Sequence, residues 1–575
     1  MTRLTTEFDI AAIGKQLAAG ELPARSVLDA SWQAREDFDR ALLAEATRCF
    51  GSSKSRCGES YDFYADLVSR HTGQRADAMQ YRDQTGQLLR LSYDTLDALV
   101  SRLCACLRGQ GVAAGDSIAI VQPVGPFYAT ALLAALRLGL IVSCIRPRGR
   151  GFVRACLAQL EPTHILADRQ HAWYVQTAAV LDTTAVPEQP GLDPGSHSYA
   201  AAEPAFRACA TLDPERSTIE LSAELSYAAL LRDAVLTFPI RKGERVAAPG
   251  LDADQYQPHL LLTTWLAGGC YIACELEDLA AEPALLDRFD PQLLGLSRGC
   301  VQHLAQTDPP PRLAGLRRFF FNPLEGLDVR PLEHIAQTQN PARVWAGFGV
   351  VAHAAHGGSL LCSAKSSRPM LTLPRFIPTP GLAWWLTEAN LAGTRALFDT
   401  GLLVVGDETD PTSRAAVSGH LMLAGQAGAY QLAGSATTLR AGRAYPERLV
   451  SDVISEHPEV DHCVALTVRD PTDMYRAVAF ALVFVDPSEP ERVRTRAPEL
   501  ALELEERVRQ ELGADLVPDQ LRIFAHAPAL QDGQPDRAYC QAQFLDGMLD
   551  KKSRHGAFSA LSALRRLFAS ASGSP

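Results

Sequence analysis

Residues 91–125 read LSYDTLDALVSRLCACLRGQGVAAGDSIAIVQPVG, and the hydrophobic period changes within that span. Leu91-Ser-Tyr-Asp-Thr-Leu opens a run with apolar residues at helical spacing. It predicts a helix to about Arg108, with the Ser92 hydroxyl placed to accept a free amide of the first turn. Gly111–Asp116 predicts a turn, and Ser117–Gln122 (SIAIVQ) a buried strand. A helix of small residues, Phe127–Leu138, and a second strand, Leu140–Ile145, follow. Strand, helix and strand in such close succession predict a right-handed βαβ unit and a parallel sheet, the mark of an α/β protein.

The same alternation recurs downstream. Arg245–Ala248 reads as a strand, Pro258–Ala267 as a helix closed by Gly268-Gly269, and Tyr271–Cys274 as another strand. Irregular stretches rich in Pro, Gly and Ser cover residues 182–203 and 369–380. A Gly/Ala stretch at 425–434 (GQAGAYQLAG) reads as a hinge, after which the pattern restarts. Helix Pro446–His457, strands Cys463–Val468 and Ala477–Val485, a charged helix at about Leu500–Leu512 and strand Leu521–His526 predict a separate α+β module. Before the main body, Val27, Leu28, Trp32, Phe38 and Leu42 recur at helical spacing within Ala24–Ala46, and Gly51-Ser-Ser-Lys-Ser punctuates the end. The expected organisation is a helical N-terminal extension (1–60), a large domain (61–426), a small domain (427–548) and a basic tail (549–575).

At 575 residues the chain exceeds what one core serves. Its net charge of −11 argues against nucleic acid as a partner, and no apolar run reaches the length of a spanning helix. The first 20 residues lack the layout of a secretory signal. Thirteen cysteines are scattered with no C-x-x-C among them, which predicts free thiols in a reducing, cytoplasmic setting. The tail carries Lys551, Lys552, Arg554, Arg565 and Arg566, with Phe558, Leu561, Leu564, Leu567 and Phe568 at helical spacing; a solvated helix is the plain reading, a membrane surface or partner groove the other.

Taken together, these runs resemble the adenylate-forming (AMP-binding) superfamily: acyl-CoA synthetases, fatty acyl-AMP ligases and adenylation domains. The resemblance rests on residues 91–125, on ATALLAALRLGLIVSCIRP, on LLLTTWLAGGCYIA, on RAGRAYPERLVSDVISEHPEVDHCVALTV and on VPDQLRIFAHAPALQDGQPDR, in order over roughly residues 60–545. It implies a large AMP-binding-like domain of mixed sheets and helices, then a small α+β C-terminal domain. It also implies the joining of a carboxylate to ATP, with Mg²⁺, to form an acyl adenylate, chemistry that needs charge neutralisation around a triphosphate.

The residues depart from the family pattern where that chemistry is done. The Gly-rich phosphate loop is matched by Cys209-Ala-Thr-Leu-Asp-Pro-Glu-Arg-Ser-Thr-Ile-Glu-Leu-Ser222, which has no glycine, acids at Asp213 and Glu215, and Ser217 at the lysine position. The Y-G-x-T-E motif is matched by Phe348-Gly349-Val350-Val351-Ala352, where Ala352 offers no oxygen to Mg²⁺. Phe348 reads as core or pocket wall, or else as an adenine platform. For the ribose carboxylate, Thr400-Gly401 lacks the acid, while Asp407 of Val405-Gly-Asp407 reads as a surface carboxylate or a vestigial ligand; Gln426 takes the place of the arginine that follows. Gln534 stands where the final segment carries its catalytic lysine, and Arg443 lies in the segment that opens the small domain. His353 and His356 make an H-x-x-H without a third ligand, and no G-x-S-x-G elbow occurs. Trp265, Phe319–Phe321, Trp345 and Trp384-Trp385 read as core or as pocket lining.

Two functions follow. The first is a catalytically inactive or impaired homologue of acyl-activating enzymes, a binding or scaffolding partner for an acyl chain, an acyl carrier protein or a related active enzyme, with no cofactor or metal expected. The vestigial nucleotide site would then comprise Phe348, Gly349, Asp407 and Arg443. The alternative is an active ligase using ATP and Mg²⁺ with relocated residues, such as Arg216, Asp407 and Lys551 or Arg443.

Overall fold

The computed structural model describes residues 7–167, 180–181, 195–209, 218–251, 256–325, 327–328, 330–339, 345–353, 358–363, 365–366, 375–382, 384–388, 400–405, 416–424, 430–435, 439–440, 443–469, 477–485, 490–525, 530–531 and 534–546. The chain divides into two compact units. One comprises Met1–Arg146, Leu160–Ala210 and Thr218–Ala436, the other Pro147–Gln159, Thr211–Ser217 and Thr437–Pro575.

In the larger unit, the residues that open the sequence argument fold as a βαβ unit. Ser92 accepts a 3.1 Å hydrogen bond from the Thr95 amide and starts helix Tyr93–Gly109, whose buried side chains are Tyr93, Leu96, Val100, Leu103, Cys104, Cys106 and Leu107. Ser117–Val121 is buried at every position and lies parallel between Ile141–Ile145 and His164–Ala167. A further parallel strand, Pro204–Cys209, pairs antiparallel with Thr218–Ser222 to complete a five-stranded sheet. A second sheet has a parallel heart ordered Asp77–Arg82, Cys270–Ala273, Arg245–Ala247, Leu293–Leu296, Arg318–Phe321 and Ala346–His353. Beyond Ala346–His353 it turns antiparallel, through Gly358–Ser363 and Phe376–Pro378. Gly268 adopts φ +69 after helix Gln257–Leu266, as its place between helix and strand predicts, and a Cβ there would lie 2.9 Å from the His71 ring.

The N-terminal extension is helical, but the expected run over 24–46 is two helices, Arg25–Gln33 and Arg35–Phe50, because Ala34 leaves helical geometry at φ −112, ψ 48. This extension and the segment after it pack on helix Ala223–Arg232, which follows directly on strand Thr218–Ser222. Asp66, 1% exposed, is the fastening point. Its carboxylate accepts bonds from Ser53 Oγ (2.7 Å), the Lys54 amide (3.0 Å), Ser55 Oγ (2.6 Å) and Tyr227 Oη (2.7 Å).

The smaller unit carries strand His462–Arg469 antiparallel to Ala477–Phe484, which is parallel to Gln520–Phe524. Helix Arg537–Leu545 seals one face through Cys540 and Phe544, with Phe544 4.9 Å from the Phe480 ring. The charged helix expected at Leu500–Leu512 begins at Pro490 and continues through Pro498, a residue that reads as a stop in sequence. All thirteen cysteines are free, so no disulfide framework supports either unit. Among the described residues, no helix is long and apolar enough to cross a membrane.

All six tryptophans belong to the larger unit, so their fluorescence reports its unfolding separately. Asp66→Ala is expected to destabilise that unit by about 3 kcal/mol or more in urea titration, since it takes the acceptor from four donors at once, two of them, Ser55 and Tyr227, buried. Tyr227→Phe removes one donor and is expected to cost about 1 kcal/mol. His71, 1% exposed, has its imidazole pulled down from 6.5 to about 4 by burial and then by Arg70 and Lys242. The folded value lies below the unfolded one, so this contribution is complete above pH 6.5 and is lost as pH falls through that window. The loss is expected to reach roughly 3 kcal/mol, and His71→Gln to flatten the slope.

Candidate functional site

Strand Ala346–His353 carries the matched motif. It is flanked by a parallel neighbour that sets Phe348 opposite Phe320 and an antiparallel one, Gly358–Ser363, with a register shift between Val351 and Ala352. Phe348 is 1% exposed and packs against Phe238 and Phe320 at centroid distances of 6.0 and 6.1 Å. The Lys365 ammonium covers the ring, 5.5 Å from its centroid. Of the two readings of Phe348, the packing therefore matches the core one. Gly349 has a steric role: a Cβ would lie 2.8 Å from Phe376 Cζ, and its amide donates a 2.8 Å bond to Ser363 Oγ.

Around the same ring sits a charged group that sequence reasoning did not find. Arg318 pairs with the buried Glu244 at 2.5 Å and donates to the carbonyls of Phe238 and Pro239. The Arg241 amide takes the other Glu244 oxygen at 2.8 Å. Burial first, and Arg318 second, pull the Lys365 amine down to about 7.

A second cluster lies at the junction of helix Ala223–Arg232 with a π-helical turn, Asp233–Thr237. Asp233, 1% exposed, accepts from His259 Nε2 (2.9 Å), the Ser359 amide (3.1 Å), Ser359 Oγ and Tyr256 Oη. Burial pushes this carboxyl up, but the bonds and charge of His259, with Ser359 and Tyr256, outweigh it and hold it below the usual carboxylate range. The residue types are those of a nucleophilic triad, but the order is not. A triad places histidine between hydroxyl and carboxylate, whereas here the carboxylate stands between Ser359 and His259. The cluster therefore works as a buried hydrogen-bonded tie between elements far apart in sequence.

The other positions singled out in sequence fall as follows. Ser217, Arg216, Asp407, Gln426, His356 and Lys551 lie outside the described residues. Ala352 and His353 end strand Ala346–His353, Arg443 is in a two-residue strand paired with Leu439–Arg440, and Gln534 is in a short strand paired with Leu530–Gln531; these are backbone placements. Trp265, Phe319, Phe320, Phe321 and Trp345 are core, between 0% and 5% exposed. In the smaller unit His457, Glu459 and Glu503 bring ligand atoms within 4.8 Å of one another, but Arg496 already bridges Glu459 (3.1 Å) and Glu503 (2.7 Å), which makes the group an ion-pair network.

Comparison with known proteins gives this geometry its fold. Residues 68–221 match the AMP-binding enzyme family. Acetoacetyl-coenzyme A synthetase of Rhizobium meliloti (strain 1021) is 39% identical over 84 residues, 15% of this chain; the chain thus spans about 13% of the length of that curated relative. Among solved structures, an o-succinylbenzoate CoA synthetase from Bacillus subtilis, a double mutant bound with its product analogue, superposes with a TM-score of 0.61 at 13% identity, covering 83% of this chain and 97% of its own. Acetoacetyl-CoA synthetase from Streptomyces lividans gives 0.58 at 15% identity, covering 98% and 97%. Brucella canis acyl-CoA synthetase gives 0.54 at 15% identity, covering 87% and 98%. The chain therefore has the fold of the adenylate-forming acyl-CoA synthetases.

Gly358, at φ +144, brings the backbone close to this second cluster: a Cβ would lie 2.9 Å from Ala229 Cβ and 3.2 Å from Asp233 Oδ2. Gly358→Ala is expected to lower stability by about 2 kcal/mol or more, read as a shift in the tryptophan-monitored urea midpoint.

Proposed function

We propose that this member of the adenylate-forming superfamily is a catalytically inactive or strongly impaired acyl-CoA synthetase homologue that serves as a binding or scaffolding partner in acyl handling. The observation that carries the reading is the state of Phe348. An adenine platform must offer an open ring face, and this ring is 1% exposed, wedged among Phe238 and Phe320 under the Lys365 ammonium. The residues present do not fit a bound ATP·Mg²⁺ in the family manner. The Ala352 side chain has no oxygen for a hard cation, and Gln534 brings a neutral amide where the family resemblance places an ammonium. Removing one preorganised charge contact from a transition state typically costs about 3–4 kcal/mol. Two such losses compound to a rate too low to sustain turnover.

Under this reading the ligand is an acyl chain, an acyl carrier protein or a related active enzyme. The thirteen free cysteines suit a reducing, cytoplasmic compartment. The match over residues 68–221 favours the competing reading, an ATP-dependent ligase with relocated residues.

ATP–pyrophosphate exchange over a panel of carboxylic acids separates the two. The expected result is exchange no faster than a protein-free blank, with no heat of ATP·Mg²⁺ binding in calorimetric titration. Exchange well above blank with any acid overturns the proposal and establishes the ligase.

A further inference from the structure

The smaller unit carries an open groove of about 440 Å³, lined by His457, Leu502, Glu503, Glu506, Gln510 and Glu511 together with Arg507. Helix Pro490–Leu512 supplies all of these but His457, which lies just past helix Glu447–Ser455. Leu500, Leu504, Val508 and Leu512 turn into the core, at 0% to 2% exposure. Leu502 is 67% exposed, the most of any large apolar side chain among the described residues. The groove is also acidic. The two stretches that line it, 456–459 and 496–511, hold seven carboxylates and three arginines, a net charge of −4. Its acids already take guanidinium groups at the surface: Arg496 bridges Glu503 (2.7 Å) and Glu459 (3.1 Å), Arg507 meets Glu456 (2.5 Å), and Arg509 meets Glu506. An apolar spot beside exposed carboxylates fits a cationic, amphipathic segment.

We propose that this groove is the docking site of the chain's own basic tail, residues 551–575. That segment has Lys551, Lys552, Arg554, Arg565 and Arg566 and no acid, a net charge of +5 against the groove's −4. Phe558, Leu561, Leu564 and Phe568 recur in it at helical spacing, an apolar stripe to set against Leu502 while the cations meet Glu503, Glu506 and Glu511. The tether is long enough. Helix Arg537–Leu545 ends in the same unit, and the 13 residues from Leu545 to Phe558 span up to about 43 Å when extended. A domain of about 100 residues, with a radius of gyration of about 13 Å, is narrower than that. Tethered in this way, the tail acts at a local concentration on the order of millimolar, so docking that is weak in a free peptide becomes strong within the chain. The contact does not depend on whether the protein activates carboxylates. Groove and tail are each open to an outside partner only when they separate.

The test uses the full chain, a chain ending at Asp550, and a fluorescent synthetic peptide of residues 551–575. In anisotropy titration at low salt the peptide is expected to bind the shortened chain at least about tenfold more tightly than the full chain, whose own tail competes. Raising the salt to about 1 M, where the Debye length is about 3 Å, is expected to weaken that binding at least about tenfold. Glu503→Lys combined with Glu506→Lys, and separately Leu502→Ser, are each expected to weaken it at least about fivefold. All three side chains are exposed, and an unchanged circular-dichroism melt confirms that the variants fold. Equal affinity for the full and shortened chains overturns the proposal, as does binding that the charge-reversed groove leaves unchanged. A peptide that binds vesicles of phosphatidylcholine and phosphatidylglycerol but not the shortened chain overturns it in favour of a membrane surface. A dimer in sedimentation that only the full chain forms overturns it in favour of a second copy.

Discussion

Helix Ala223–Arg232 must be buried almost all round, and much of the larger unit is arranged to make that tolerable. Ala223, Ser226, Tyr227, Ala228, Ala229, Leu230, Leu231 and Arg232 are all buried along it. A helix so enclosed has polar groups that water cannot reach, so the protein must supply partners. It does so for part of them, while Ser226 Oγ and the Nε and Nη1 of Arg232 are buried without a hydrogen-bond partner. Asp66 receives the Tyr227 hydroxyl, Tyr61 Oη lies 3.5 Å from Glu224, and Ser222 caps the first turn by accepting from the Leu225 amide. Burial pulls the Arg232 guanidinium down, and Asp39 of the N-terminal extension is the foremost group opposing it. At the helix's end Asp233 gathers His259, Tyr256 and Ser359. Residues before the main body are therefore part of this unit's core, and helix Ala223–Arg232 is fixed from both ends.

Within that frame the two clusters around the sheet answer one electrostatic problem in different ways. Asp233 is a buried anion with enough donors to remain charged, and burial is overruled by hydrogen bonds. Lys365 is a largely desolvated cation without a carboxylate to itself, and there burial prevails. The difference lies in partner supply. Arg318 holds one Glu244 oxygen through Nη2 while the Arg241 amide takes the other, which leaves the flexible ammonium to the face of Phe348. A carboxylate at the Glu244 position thus serves the strand-bound guanidinium before the lysine.

The elements that sequence could reveal are those written locally. Ser92 announced a helix start because an N-cap is a contact three residues long, and Gly268 a helix end because its φ +69 suits glycine alone. The extension's break at Ala34 and the long helix through Pro498 were illegible for the opposite reason. Alanine is a good helix former and proline a stop signal, yet here the first separates two helices and the second lies inside one. At the candidate site, the motif residues could be matched by order, but their environment could not. Asp233 and Ser359 are 126 residues apart in the chain, and Lys365 meets Arg318 and Glu244 only through strand order. No periodicity encodes such meetings. Phe348 was legible as an aromatic at a family position; whether its face was open depended on Phe238 and Phe320, which sequence alone does not place.

The pair Phe348-Gly349 has a physical explanation in packing. Gly349 cannot gain a side chain while Phe376 presses to within 2.8 Å of where a Cβ would stand, and Phe348 fills space between Phe238 and Phe320. Both are required by packing whether or not a nucleotide ever binds. The match to a family motif at these two positions is therefore accounted for by the packing of the sheet itself: the aromatic fills a space that three strands and a neighbouring loop leave, and the glycine lets Phe376 close over it.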